Sequence, residues 1–330
     1  MITKEIVISR ATDSLERFPY LRSRIDDRTV IRCVETAWPE PPAPLVFLLF
    51  VAGTNLDGKQ SAEQVLASVE AILTLLTRTD AVSGAWRSRL NRVLPPRMGG
   101  TFEDHYVNFQ SALFELVLAF RLVTAETNVK MNGEHNTSVC DLDIDLMGEK
   151  LFAVEAYAPR KGAELWYQDG VLTPWRGLVT GGAVAAARDI ERPRDMTIDP
   201  DAVVRALRDA LTTTNFDQKR KQLASGEVPT LLAIRGYGLT RELHELSVLT
   251  PPLDIARRVG QEAWNRLPNR CLGVLLSLLG DVLKLDGPTS PAAFIPAPGR
   301  RVTQRAWAFL DRSQMLASDV QAQRESLVES

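Results

Sequence analysis

The chain has 330 residues, and its 39 Lys plus Arg against 41 Asp plus Glu leave a formal net charge of −2, which denies it a whole-chain electrostatic footprint for nucleic acid and leaves only local basic patches. Its 45% apolar and 24% charged residues are ordinary for a soluble globular protein of one large or two modest domains, and no apolar run is long enough to span a bilayer. Cys33, Cys140 and Cys271 are too scattered for a disulfide framework and His105, His135 and His244 for a zinc site, so with no leader-like terminus the expected location is the cytoplasm.

In chain order, Phe18, Tyr20 and Leu21 read as packing anchors around a short helix. Thr29–Trp38 and Leu45–Ala52 read as two strands joined by a proline-rich connection. Ser61–Leu76 reads as a helix, with Ser61 and Gln64 as a capping box and Val65, Val69, Ile72 and Leu76 as its apolar stripe. Between strand and helix, Gly53 to Ser61 approaches a phosphate-binding loop, with Lys59 in the lysine position. Gln60 replaces the hydroxyl such a loop would use on Mg²⁺, so the alternative is an ordinary turn. Ala85–Leu94 carries Trp86, Arg87, Arg89 and Arg92, followed by Arg97. That basic face reads either as a phosphate-backbone contact or as a solvated helix. Pro95-Pro96 marks a boundary.

Phe109–Leu122 reads as a mostly apolar helix that offers Glu115, and Thr127–Met131 as a strand before the turn at Asn132-Gly133. Asp141, Asp143 and Asp145 then alternate with Leu142, Ile144 and Leu146, the period of a strand with one carboxylate face. Gly148 sits in a turn, and Leu151–Tyr157 reads as an apolar strand whose single charge is Glu155. A glutamate there is costly to bury unless a cation or a metal compensates it. Together with Glu115, these carboxylates suit a hard divalent ion, Mg²⁺ or Mn²⁺, with metal ligands drawn from Asp141, Asp143 and Glu155. The plainer alternative is a half-exposed hairpin with solvated aspartates.

Beyond Tyr157, Glu164–Trp175 reads as a hairpin turning at Asp169-Gly170. Its Trp166, Tyr167 and Trp175 serve either as packing or as a stacking platform for unpaired bases. Asp199-Pro200 opens a helix with Val203, Leu207, Leu211 and, later, Leu223 on its buried face. Lys219, Arg220 and Lys221 suit a helix C-terminus by their charge alone. Val274–Leu285 is an apolar helix or strand, Phe294 onward an extended connection, and Val302–Leu310 an amphipathic helix.

The order of helix glutamate (Glu115), strand aspartate (Asp141 or Asp143), turn, and strand glutamate (Glu155) resembles the PD-(D/E)XK nuclease superfamily. The likeness covers residues 100–236 and continues in Lys219 and Gln222, which resemble a Lys-x-x-Gln helix element, and in the apolar Pro229–Ile234. It implies an α/β fold with a mixed central sheet flanked by helices, a restriction-endonuclease-like core. The core would span 96–240 with a hairpin insertion, an N-terminal α/β extension 1–95, and a C-terminal extension 241–330 packed on it. It further implies a metal-dependent nuclease acting on DNA or RNA. Cys140 replaces the motif proline, and Tyr157 stands where the catalytic lysine would be. Either another cation (Lys150, Lys161 or Lys219) serves instead, or the chain is an inactive nuclease fold that binds nucleic acid or a protein. A nucleotide-binding protein centred on Lys59 is the third reading.

Overall fold

Through residue 78 the chain builds helices. The computed structural model describes residues 2–54, 59–78, 82–95, 102–123, 127–133, 139–158, 172–181, 200–213, 216–225, 228–235, 252–277, 292–302 and 304. Its first five elements are α1 (Lys4–Leu15), α2 (Pro19–Arg22), α3 (Asp27–Ala37), α4 (Pro44–Ala52) and α5 (Lys59–Arg78). The strands expected at Thr29–Trp38 and Leu45–Ala52 are therefore corrected to α3 and α4. In α3 the Asp26 carboxylate caps the first turn, accepting from the Thr29 backbone N–H at 2.7 Å. Val30, Cys33 and Val34 then turn inward at helical spacing. In α4, Pro44 presets the first turn, and the apolar run that follows is buried among its neighbours α1 and α5. A helix buried on nearly every side loses its 3.6-residue period and reads like a core strand.

The same correction removes the strand that a phosphate-binding loop would follow. Gly53 ends α4, where a Cβ would come within 2.5 Å of the Arg10 carbonyl oxygen. That glycine serves the close approach of α1 and α4. Residues 55–58 lie outside the described residues, and Lys59 already opens α5.

After β1 (Val82–Gly84) come α6 (Trp86–Val93) and α7 (Phe102–Leu122), then β2 (Thr127–Met131), β3 (Leu142–Leu146) and β4 (Glu149–Tyr157). Helices α8 (Thr173–Thr180), α9 (Pro200–Thr212) and α10 (Phe216–Ala224) lead to β5 (Thr230–Arg235). Helices α11 (Pro252–Val259) and α12 (Gln261–Trp264) lead to β6 (Cys271–Ser277) and β7 (Ala292–Pro296). Among the described residues the seven strands form one sheet in chain order. β2, β3 and β4 are an antiparallel meander, β4, β5 and β6 run parallel, and β1 and β7 close the edges, parallel to β2 and antiparallel to β6. Met147 and Gly148, both at positive φ, turn β3 into β4, a backbone that follows the twist of the hairpin. The expected mixed sheet flanked by helices is present, with an N-terminal part that is helical up to Arg78 and a C-terminal part that extends the sheet.

Strand alternation covers the sheet on both faces. Phe152, Val154 and Ala156 of β4 and Leu231 and Ala233 of β5 join the N-terminal helices and α7 in one core. Ala153 and Tyr157 with Leu232 and Ile234 join residues of α9 to α12 in the other. A charged side chain in the middle of β4 is therefore buried whichever way it points. That fact positions the site.

Trp175 belongs to α8, 1% exposed, with its indole N–H donating to the Pro39 carbonyl at 2.7 Å and its ring edge-on to Trp38, Phe47 and Phe50. It is a core residue and no stacking platform; Trp166, Tyr167 and the turn at Asp169-Gly170 lie outside the described residues. Leu223 sits on α10, one helix beyond Leu207 and Leu211. Phe294 lies in strand β7, a correction of the expected connection, while residues 278–291 and 305–310 are outside the described set. Among the described residues no helix is long and apolar enough to cross a membrane.

Candidate functional site

Glu155 occupies the interior of β4 with no exposed surface. The residues around it come from four other segments. Asp141, just ahead of β3, donates its backbone N–H to Glu155 Oε2 at 3.2 Å, and its own Oδ2 accepts the Ala156 N–H at 2.9 Å. This reciprocal clasp fixes both carboxylates against the paired strands. From α10, Lys219 Nζ donates to Glu155 Oε1 and lies 3.5 Å from Asp141 Oδ2. From α7, Glu115 joins through an arginine. Arg89 of α6, wholly buried, donates Nε–H to Glu115 Oε2 at 2.6 Å, and its Nη2 lies 3.7 Å from Asp141 Oδ1. Arg92 Nη2 approaches Glu115 Oε1 at 3.5 Å.

Three carboxylates thus meet three cations, with Glu115, Glu155 and Arg89 buried and Asp141, Lys219 and Arg92 half-buried. Burial, then the Asp141 charge, pushes the Glu155 carboxyl well above the usual carboxylate range, with Lys219 pulling it back. Glu115 is raised for the same reasons, against the pull of Arg89. Burial alone would lower Lys219, but Asp141 and Glu155 together raise it above the ordinary lysine value. Both partners of the Lys219–Glu155 pair are thus pushed up. The direction that governs the pair is a protonated Lys219, because Asp141 and Glu115 face the ammonium as well. Burial and the adjacent carboxylates also raise the Cys140 thiol, which donates to the Gln222 carbonyl at 3.5 Å.

The residues expected from sequence are brought together unequally. Glu115, Asp141, Glu155 and Lys219 converge. Gln222, one helical turn beyond Lys219, donates from Nε2 to the Val139 carbonyl at 3.2 Å, so with Cys140 it anchors the segment leading into Asp141. Asp143 instead pairs with Lys150 at 2.8 Å, which occupies both residues away from Glu155. Lys161 lies outside the described residues. Tyr157, where the resemblance would put a lysine, turns its hydroxyl to Thr213 Oγ1 at 3.3 Å and its ring edge-on to Phe216. Tyr157→Phe is accordingly expected to cost no more than about 1 kcal/mol in urea unfolding, the worth of one hydrogen bond. Any cleavage activity should stay unchanged in the same variant.

Arg89 is the member that the sequence reading did not assign to the site. The available signal is its register in α6. Trp86, Arg89, Leu90 and Val93 stand at i, i+3, i+4 and i+7, so Arg89 shares the inward face with apolar residues.

Asp141 and Glu155 present hard oxygen donors, the class Mg²⁺ and Mn²⁺ take, and Mg²⁺ is commonly held by one or two carboxylates with water and phosphate oxygens completing its shell. Among the described residues no group of three or more His, Cys, Asp or Glu is placed to hold a metal ion. Lys219 occupies the Asp141 and Glu155 oxygens as their ion-pair partner. Comparisons with family models, curated proteins and solved structures found no match.

Proposed function

We propose that the chain is a metal-dependent nuclease that hydrolyses phosphodiester bonds of DNA or RNA on a restriction-endonuclease-like core. The observation that carries this reading is the convergence of Glu115, Asp141, Glu155 and Lys219 from four separate segments into one cluster, its two glutamates buried. Its support in the fold is the order helix α7, meander β2-β3-β4, helix α10 and parallel strand β5. Tyr157 leaves the motif-lysine role open, and Lys219 supplies an ammonium on both carboxylates from a different element.

Asp141 and Glu155 would hold Mg²⁺ or Mn²⁺, which when bound polarises the phosphodiester and makes a nearby water easier to deprotonate. Lys219, held protonated by its carboxylate neighbours, donates hydrogen bonds to the negative charge that builds on the phosphoryl oxygens. Arg89 neutralises Glu115 and steadies Asp141 from behind, which keeps the donor pair in place without a substrate. Lys219 is the most open of the trio, its side chain 24% exposed against 12% for Asp141 and 0% for Glu155. Substrate therefore approaches from the α10 side. In hydrolysis the water oxygen bonds to phosphorus, the bond to one sugar oxygen breaks, and that oxygen ends with a proton from the water.

The test is incubation of the purified chain with duplex DNA, single-stranded DNA and RNA in Mg²⁺, Mn²⁺ or EDTA. Cutting of at least one substrate with metal and none in EDTA is expected. Binding without cutting by the well-folded chain would move the reading to an inactive nuclease fold that recognises nucleic acid.

A further inference from the structure

Helices α6 and α7, with the start of α4, line a partly open cavity of about 160 Å³. Asn91, Arg92, His105 and Asn108 supply its polar lining, and Leu45 and Leu94 are among its apolar walls. None of the described residues lining it is acidic. The His105 Nε2 atom is buried there without a hydrogen-bond partner in the protein. A buried ring nitrogen in that state requires water or a ligand to complete it. Arg92 faces two ways, reaching the cavity while its Nη2 stays 3.5 Å from Glu115 Oε1.

The chemistry of the lining selects the ligand. A guanidinium, an imidazole and two carboxamides offer many N–H donors and only a few acceptors. Arg92 is pre-positioned by a buried carboxylate, so a ligand need not order a free arginine. Leu45 and Leu94 beside these donors lower the local dielectric, which strengthens each charge-assisted hydrogen bond. An acceptor-only, compact, negatively charged group fits this set. We propose that the cavity binds an oxyanion of the phosphate class, either free phosphate or a phosphate of a nucleic-acid strand. This goes beyond the nuclease reading and does not depend on it, although the shared Arg92 sets the two sites side by side.

The test uses the full chain in EDTA, where no metal-dependent turnover interferes. Inorganic phosphate is titrated while the imidazole resonances are followed by NMR, the His105 signals being assigned by their loss in His105→Gln. A saturable shift of His105 is expected, with the other two histidines of the chain as internal references. Arg92→Gln should weaken the binding by about tenfold or more. Asn108→Asp, a change at an exposed position that adds a carboxylate to the cavity mouth, should weaken it in the same direction without touching a buried pair. A dinucleotide with one phosphodiester and no terminal phosphate distinguishes the source. A response at lower concentration than phosphate identifies a strand, and a response to phosphate alone identifies the free anion. Absence of a saturable His105 shift with both probes would overturn the proposal, as would binding that neither Arg92→Gln nor Asn108→Asp weakens. Each of these results is independent of whether the chain cuts nucleic acid.

Discussion

Lys219→Met is expected to reduce metal-dependent cleavage on the order of 10²–10³-fold, the cost of removing one donor aimed at developing charge. It should also destabilise the metal-free fold by about 3 kcal/mol at neutral pH, because the buried Glu155 and the half-buried Asp141 lose their shared cation. The pH dependence has a definite sign. Lys219 is raised above its unfolded value of 10.5, so its contribution is fully present below that value and fades only as pH rises beyond it. Glu155 is raised above its unfolded 4.5, so the folded state holds that proton more tightly, and stability falls as pH rises from 4.5 through the folded value. Removing Lys219 pushes Glu155 higher still and deepens that fall. The difference between wild type and variant in urea unfolding with EDTA should therefore be smallest near pH 4.5 and largest at neutral pH. An equal difference at both values would mean that Lys219 stabilises the fold by packing and not by its charge.

Arg89→Met is expected to cost about 3–5 kcal/mol of folding stability. Arg89 has no exposed surface and Glu115 almost none, so the variant leaves a carboxylate buried without its closest cation. Arg92, 3.5 Å away on the other oxygen, compensates only in part. The double variant Arg89→Met with Glu115→Gln should recover much of the loss, since a neutral amide no longer needs the guanidinium. Chemical denaturation of the four proteins of this cycle measures the coupling. If Arg89→Met alone stays within about 1 kcal/mol of wild type, the buried pair is not what holds α6 against α7.

The central part of this architecture is legible in the sequence because its signals are local. Alternating Asp and aliphatic residues give β3, a single charge in an apolar run gives β4, and Leu-Leu-Ala-Ile gives β5. Glu115, Asp141, Glu155 and Lys219 could be named because each departs in charge from its surroundings or matches a spaced family element. What escaped is what tertiary packing decides. The β-branched residues of Thr29–Trp38 suggest a strand, yet the Asp26 cap and the inward Val30, Cys33 and Val34 make it a helix. The run Leu45–Ala52 carries no usable period because neighbouring helices cover it. Arg89 reads as solvated among Arg87 and Arg92 until Glu115, 26 residues away, is seen beside it. Trp175 reads as a hairpin aromatic until Pro39, 136 residues away, accepts its indole hydrogen bond.

The most direct test of the nuclease assignment is the cleavage rate of wild type and Glu155→Gln on the same substrate in Mg²⁺, with folding of both checked by thermal unfolding. The glutamine keeps the shape of the side chain but withdraws an anionic oxygen donor from the pair with Asp141. Metal-dependent cutting by wild type and its loss, on the order of 10²-fold or more, in a folded Glu155→Gln protein is the predicted result. Equal cutting by both proteins would contradict a metal site built on Glu155.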